Sequence, residues 1–432
     1  MIAMLRAVLA SLRVRRRARR ARRLEARAVR RRRLLDGRPV IAVTGAAAKS
    51  TTVKLLVHLL GGPPRIASTV FSNDTPAVFT RLARVDPAAA MLVSEVSEHP
   101  VGTLAQVGGV LRPTMAVLTI SGLDHFTAFR TQAASAAEIA TLARAVPAGG
   151  AVLVNADDAC LVEAVAAAGV PFVGFGTGPA ADYRAIDCRL GSDLSLSLTC
   201  LHAGEEIPLR TRLVGTHFHV PVLAAVAAAH RLGIPWREIA GRVASFEPVF
   251  GRCSPLAVPG GPTFICDTIK APAWSCEQSL AVLDACADAP RRTLVFGTLS
   301  DYAGDSRRNY RRVLRNALRR VDRVIFLRHS PRHVGATAAD VAAGRVAFFD
   351  DVRSIASHVR RTAVPGEVIL VKGSFKADHL ERIAFDFLAP VRCWEEKCGR
   401  PRTCLACDRL GAPADFHPVI PLDMADRRRH AA

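Results

Sequence analysis

The sequence predicts an α/β protein of two successive parallel-sheet domains, with a basic helix ahead of them and a four-cysteine tail behind. Three observations carry this expectation. An apolar run passes through a small-residue turn into a helical pattern at 40–60, the same alternation recurs downstream, and it restarts after a break near 248–255. At 432 residues the chain exceeds what one hydrophobic core supports, so at least two domains are expected.

Residues 40–43, Val-Ile-Ala-Val, read as a strand; a Gly/Ala turn follows, then a helix over 53–60. Residues 91–93, 115–120 and 151–154 read as further strands, and 133–145 as an Ala-rich helix. Helices are expected over 220–232, closed by Gly233 and Pro235, and over 236–244. Past Phe246-Glu247-Pro248 come strands at 263–266, 293–296, 323–327 and 367–371, with helices from Ser275 and over 307–320. The expected segments are therefore 1–37, 38–250, 251–390 and 391–432.

The net charge of +21 is concentrated at the start, where residues 1–33 hold 14 Arg against the single acid Glu25. With Ile2, Met4, Leu5, Val8, Leu9 and Leu12 ahead of most of the arginines, this stretch suits an anionic membrane surface; a solvated Arg-rich helix is the equal alternative, and nucleic acid the weaker one. Apolar residues before the charges are the reverse of a secretory signal, and no apolar run is long enough to span a bilayer. The expected location is the cytoplasm, with the inner face of the membrane as a resting place.

Val43-Thr44-Gly45-Ala46-Ala47-Ala48-Lys49-Ser50-Thr51-Thr52 follows a strand and opens a helix. In that context backbone N–H groups attract phosphates, Lys49 adds a positive charge, and a Ser50 or Thr51 hydroxyl can hold Mg²⁺. Ala48 stands where such loops carry Gly; a methyl group fits there if the backbone need not reach positive φ. An Ala-rich turn entering a helix is the bland alternative. Only six residues are Lys, and three of them, Lys49, Lys270 and Lys372, fall in motifs.

From residue 40 onward the chain resembles the Mur ligases, the amide-forming enzymes of peptidoglycan assembly, and among them the branch that adds D-alanyl-D-alanine. The phosphate loop is similar to the family's T-G-x-x-G-K-T/S-T. Glu95-Val96-Ser97-Glu98-His99 resembles E-V-S-S-H, and Thr119 through Asp124-His125 resembles T-N-I-x-x-D-H. Asn155-Ala156-Asp157-Asp158, Gly215-Thr216-His217, Phe250-Gly251-Arg252, Asp267 through Ser275 and Lys372-Gly373-Ser374 continue the series.

The resemblance implies a P-loop ATPase domain followed by a smaller Rossmann-like domain, and ATP-driven joining of a carboxylate to an amine through an acyl-phosphate. It implies Mg²⁺ on Ser50, Glu95 and His125, and nucleotide contacts from Gly45, Lys49, Ser50, Thr51, Arg252, Asp267 and Lys270. Lys49, Glu95, His125 and Arg252 are the expected catalytic set. A carbamylated lysine of the family falls at Ile139, with Glu138 beside it as the expected carboxylate substitute. The family's UDP-gripping opening domain has no counterpart ahead of the loop, which implies a non-classical, membrane- or carrier-linked acid. A glutaminase partner and a non-catalytic nucleotide-binding scaffold are the alternatives.

Cys393, Cys398, Cys404 and Cys407 lie close together with Gly399 and Pro401 between them, a spacing that suits a structural Zn²⁺. Free thiols or a redox pair are the other reading.

Overall fold

The computed structural model describes residues 2–63, 65–123, 127–396, 398–400 and 403–411, with side chains from residue 14 onward. It divides into two compact units, one of Met1–Ile186, Cys200–Ile207 and Val220–Val243, the other of Asp187–Thr199, Pro208–His219 and Ala244–Ala432.

The first sheet holds β1 (Val40–Thr44), β2 (Ile66–Thr69), β3 (Met91–Glu95), β4 (Met115–Leu118), β5 (Ala151–Asn155), β6 (Val173–Gly176), β7 (Tyr183–Leu190), β8 (Ser195–His202) and β9 (Glu205–Val214). Their order is β2-β3-β1-β4-β5-β6-β7-β8-β9, and every neighbour pair from β2 to β7 is parallel. β1 and β4 are buried at every residue, which is why they read as unbroken apolar runs: a parallel sheet is covered on both faces. β2 and the strands from β6 to β9 escaped the sequence reading, although β8 and β9 bury alternate residues, a period-two pattern that marks a half-buried strand.

The helices beside this sheet include α1 (Ile2–Arg32), α2 (Lys49–Leu59), α3 (Thr75–Leu82), α4 (Thr103–Leu111), α5 (Gln132–Ala143) and α6 (Ala159–Ala167). Leu104 and Val107 of α4 and Ile139 and Leu142 of α5 pack with Val40, Ala42, Leu92 and Leu118 of the strands in one core. α2 begins at Lys49 and not at 53, because the helix starts directly on the phosphate loop.

The last residues of the segment expected as 1–37 pack into the first unit. Ala28 and Leu35 are fully buried in the core that holds Val40. Arg31 donates to the Val85 carbonyl at 2.8 Å, and Arg32 to the carbonyls of Leu111 and Arg112 at 2.5 and 3.0 Å. Burial lowers the Arg32 pKa from its ordinary value even with Asp36 opposing. The end of α1 is thus part of the first unit, whereas Val14 through Arg23 are exposed on all sides.

The second unit holds a six-stranded sheet of β10 (Ser254–Ala257), β11 (Thr263–Asp267), β12 (Arg292–Phe296), β13 (Arg323–Leu327), β14 (Val346–Phe349) and β15 (Val368–Lys372). The order is β10-β11-β15-β12-β13-β14, parallel except for β10 against β11. Its core joins Phe264, Val295, Ile325 and Val371 to Ile355, Val359, Ile383 and Phe385 from the helices.

Candidate active site

Central β1 lies between β3 and β4, and register sets Val43 beside Glu95 and Thr44 beside Leu118. Three strands therefore deliver their C-terminal ends to one edge, the position at which open parallel sheets bind ligands. Gly45 is required there: φ is +137°, and a Cβ would stand 2.9 Å from the Ile120 nitrogen and collide with Thr119 Oγ1. Thr119 Oγ1 donates to the Thr44 carbonyl at 3.0 Å and lies 2.6 Å from the Ala47 carbonyl, fastening the loop to the end of β4.

Ala48, the residue before α2, has φ 67°, the left-handed conformation that glycine adopts without cost. The condition under which Ala would be harmless at this position is not met.

Lys49 and Ser50 open α2, where unpaired first-turn amides favour anions. Lys49 Nζ donates to the Gly45 carbonyl and, at 3.0 Å, to Glu98 Oε2. Glu98 is 1% exposed, and its Oε1 makes no hydrogen bond among the described residues. Ser50 Oγ donates to Glu95 Oε1 at 3.0 Å. The Glu95 carboxylate also accepts from Phe71 N at 2.9 Å and Asn73 Nδ2 at 2.7 Å, two donors that nothing in the local sequence pattern announced.

His125 lies outside the described residues, but the chain leading to it is held. Asp158 accepts from Ser121 N at 2.6 Å and Ser121 Oγ at 2.8 Å, and Gln132 Nε2 donates to Ser121 Oγ at 3.1 Å. Asp157 accepts from Thr177 N and Gly178 N. The two acids of the Asn-Ala-Asp-Asp motif thus position loops.

Glu138 does not replace the missing lysine. Its carboxylate accepts from Gly102 N at 3.0 Å and Leu104 N at 3.1 Å, so it serves the N-terminal end of α4. Ile139 is fully buried in the core.

The second unit carries its own cluster. Asp267 and Lys372 end neighbouring strands and are register partners. Lys372 Nζ donates to Asp267 Oδ2 at 2.5 Å and to the Lys270 carbonyl at 3.1 Å; Ser279 Oγ donates to Asp267 Oδ2 at 2.5 Å. Burial pushes the Asp267 pKa up, but Lys372, Ser279 and the Arg252 guanidinium outweigh it and hold the carboxyl below its ordinary value. Burial likewise works against the Lys372 charge, and Asp267 reverses the balance so that its pKa is raised. Burial lowers His217 to about 4, with Asp267 opposing and Lys372 adding to the shift. The described contact of Lys270 with this cluster is through its carbonyl, and Arg252 joins it by charge.

The Mur ligase middle-domain family matches residues 43–229, and the Mur ligase glutamate ligase domain matches 251–375. The chain belongs to the Mur ligase family. A UDP-N-acetylmuramoyl-tripeptide--D-alanyl-D-alanine ligase from Mycobacterium bovis is 26% identical over 381 residues, 83% of this chain and 74% of that protein. A UDP-N-acetylmuramoyl-L-alanyl-D-glutamate--2,6-diaminopimelate ligase from Chlamydia pneumoniae is 25% identical over 313 residues, 68% of this chain. The chain spans 62% of the length of that relative. The MurF ligase from Thermotoga maritima in complex with ADP superposes with a TM-score of 0.73 at 19% identity, covering 85% of this chain and 84% of that one, a likeness of fold.

Mur ligases use Mg²⁺ with ATP, and the spacing of two oxygens in the first unit would fit such an ion. Two oxygens on adjacent vertices of a magnesium octahedron stand about 2.9 Å apart at the usual bond length. Ser50 Oγ and Glu95 Oε1 are 3.0 Å apart. The hydroxyl that meets Glu95 is that of Ser50; Thr51 is buried in the same helical turn.

In this Mur ligase the four tail cysteines, Cys393, Cys398, Cys404 and Cys407, line one cavity of the second unit. Among the described residues, the potential ligand atoms that gather within 4.8 Å are those of His379, Glu381 and Cys404. His379 was missed because it lies outside the cysteine run and only folding brings it there.

Proposed function

We propose that this chain is an ATP-dependent ligase that forms an amide between a carboxylate and an amine. The observation that carries the reading is the Ser50–Glu95 oxygen pair beside Lys49 at the start of a helix. Lys49 and the loop amides would offset the negative charge of the phosphates, and Ser50 and Glu95 would hold Mg²⁺, which spreads that charge further. The γ-phosphoryl group passes to a carboxylate oxygen and releases ADP; the amine then attacks the acyl carbon, loses its proton, and expels phosphate.

The test is ADP release across a panel of acids and amines. The panel includes UDP-linked muramyl peptides, carrier-linked acids and ammonia, the last with and without a glutaminase. Acid-dependent ADP release that requires Mg²⁺, and that falls about 10²–10³-fold in Lys49→Ala, is expected. Intact ATP binding with no turnover on any pair would replace the ligase reading with a nucleotide-binding scaffold.

The arginines at 15–17, 19, 20, 22 and 23 are exposed, and no described helix is long and apolar enough to cross a membrane. Their charge supports an anionic lipid surface as the place where a lipid- or carrier-linked acid would be met. Co-sedimentation with phosphatidylserine vesicles that disappears at high salt is the expected result; equal binding to neutral vesicles would remove this part of the reading.

A further inference from the structure

Among the described residues of 390–411 there is almost no regular structure beyond one short 3₁₀ turn, Cys404–Ala406. The segment forms a loop closed at its base by a hydrogen bond from Arg392 N to the Leu410 carbonyl at 3.1 Å. Val391, Trp394, Leu405 and Leu410 give it only a small apolar footing on the core of the second unit. An irregular segment of this kind is commonly held by a cross-link or a metal. All four of its cysteines are free thiols, half-buried, and line one small cavity.

His379 and Arg382, at the start of the helix Glu381–Leu388, also line that cavity. His379 is 3% exposed and sits at φ 53°, a strained conformation that aims its ring inward. Its Nε2 is 3.4 Å from Cys398 Sγ and its Nδ1 3.4 Å from Cys404 Sγ. With zinc–sulfur and zinc–nitrogen bonds of the usual lengths, the sulfur–nitrogen edge of a zinc tetrahedron is about 3.5 Å, so either contact has the dimension of a coordination edge. Behind the ring stands the Glu381 carboxylate, 1% exposed and 4.0 Å from Nδ1; it accepts from Cys404 N, and its Oε2 makes no hydrogen bond among the described residues. A buried carboxylate facing the far nitrogen of an imidazole is the usual support of a metal-bound histidine.

We propose that this cavity binds one Zn²⁺ through His379 Nε2 and the thiolates of Cys398, Cys404 and Cys407, clamping the tail to the second unit. The ion takes one imidazole nitrogen, so the Cys404 sulfur swings round the ring edge from Nδ1 to the Nε2 side and leaves Nδ1–H to Glu381. Cys407 completes the set as the partner of Cys404 in a two-residue-spaced pair. Cys393 lines the cavity as well, with its carbonyl accepting from Arg382 NH1 at 3.0 Å, and is the thiol this set leaves unused. Three thiolates leave the site with net negative charge, and Arg400, which donates to Cys407 Sγ at 3.4 Å, together with Arg382 and Arg409 around the cavity, offsets it.

The test uses the full chain. Purified without chelator, it should carry one zinc per molecule by mass spectrometry. His379→Gln, Cys398→Ser, Cys404→Ser and Cys407→Ser should each weaken zinc retention against a chromophoric chelator more than tenfold, since even the outer partners of a ligand are worth about 10–100-fold. Cys393→Ser should bind as the parent does. The Co²⁺-substituted parent, which needs no variant to fold, should show the visible bands of a three-sulfur, one-nitrogen tetrahedron, to the blue of an all-sulfur one. A metal-free chain, a His379→Gln variant with undiminished affinity, or an all-sulfur spectrum with loss of metal in Cys393→Ser would each overturn the assignment.

Discussion

Each unit buries a lysine against a carboxylate, and the two pairs differ in what carries them. Lys372 and Asp267 are the last residues of adjacent strands, 2.5 Å apart, with 3% and 10% of their side chains exposed. Lys49 and Glu98 lie on a helix start and on the loop after β3, 3.0 Å apart, and one Glu98 oxygen has no partner among the described residues. A pair on paired strands is held by the ladder hydrogen bonds on both sides, whereas a pair on a loop can part when a competing anion arrives. The first arrangement positions; the second can exchange partners.

The largest effect should come from breaking the strand-borne pair. Lys372→Met leaves Asp267 buried without its cation, and one-sided removal from such a pair costs about 3–5 kcal/mol. Asp267→Asn with Lys372→Met together should recover much of this. The pH dependence should weaken from parent to variant. In the parent the Asp267 pKa is depressed, so its contribution is present above the ordinary carboxyl range and is lost as acid titrates through the folded pKa. In Lys372→Met only Ser279 and Arg252 still oppose burial, so the folded pKa rises relative to the parent and less stability is lost to acid. The gap in denaturant stability between parent and variant should therefore narrow as pH falls through and below the ordinary carboxyl range. A gap that stays constant or widens would show that Lys372 is not what sets the Asp267 charge.

The same contrast explains what could be read in the sequence. Val40–Thr44, Glu95 and Asp267 were legible because they sit at the ends of short apolar runs, and a parallel sheet puts such ends on one edge. Partners that arrive from loops were not. Phe71 and Asn73 reach Glu95 from an irregular segment after β2. Asp378 takes hydrogen bonds from Thr298 and Ser374 and pairs with Arg328, from three separate parts of the second unit. Glu138 misled for the opposite reason: its place beside the expected lysine position is a matter of count, while the turn of α5 directs its carboxylate to the amides of α4. The Arg-rich start read as one separate segment, because burial of Ala28 and Arg32 depends on helices and loops 50 to 80 residues further on.

A smaller effect should follow from changing the loop-borne pair. Glu98→Ser removes the carboxylate that now occupies Lys49 and leaves the ammonium its Gly45 contact. Stability should change little. ATP affinity measured by titration calorimetry should rise about tenfold, the worth of one charged hydrogen bond no longer competing with phosphate. Weaker ATP binding would break the comparison, since Glu98 would then act on the nucleotide or its Mg²⁺ through the oxygen that has no partner here.

The smallest expected effect concerns the backbone under Lys49. Ala48 has φ 67° in the loop that must present its amides to phosphate, while Asp267 and Lys372 end regular strands. A left-handed alanine costs roughly 1–2 kcal/mol relative to its preferred conformations, and glycine avoids that cost. Glycine also adds about 0.4–1 kcal/mol of unfolded-chain entropy, which works the other way. The balance favours Ala48→Gly by roughly half to one kcal/mol, read as a later denaturant midpoint for the first unit with the second unchanged. If the midpoint instead moves earlier, the entropy term has won, and the loop would have to relax out of the left-handed region when nothing is bound. That outcome would make the loop itself, and not only the Lys49–Glu98 contact, the part of the site that rearranges on binding.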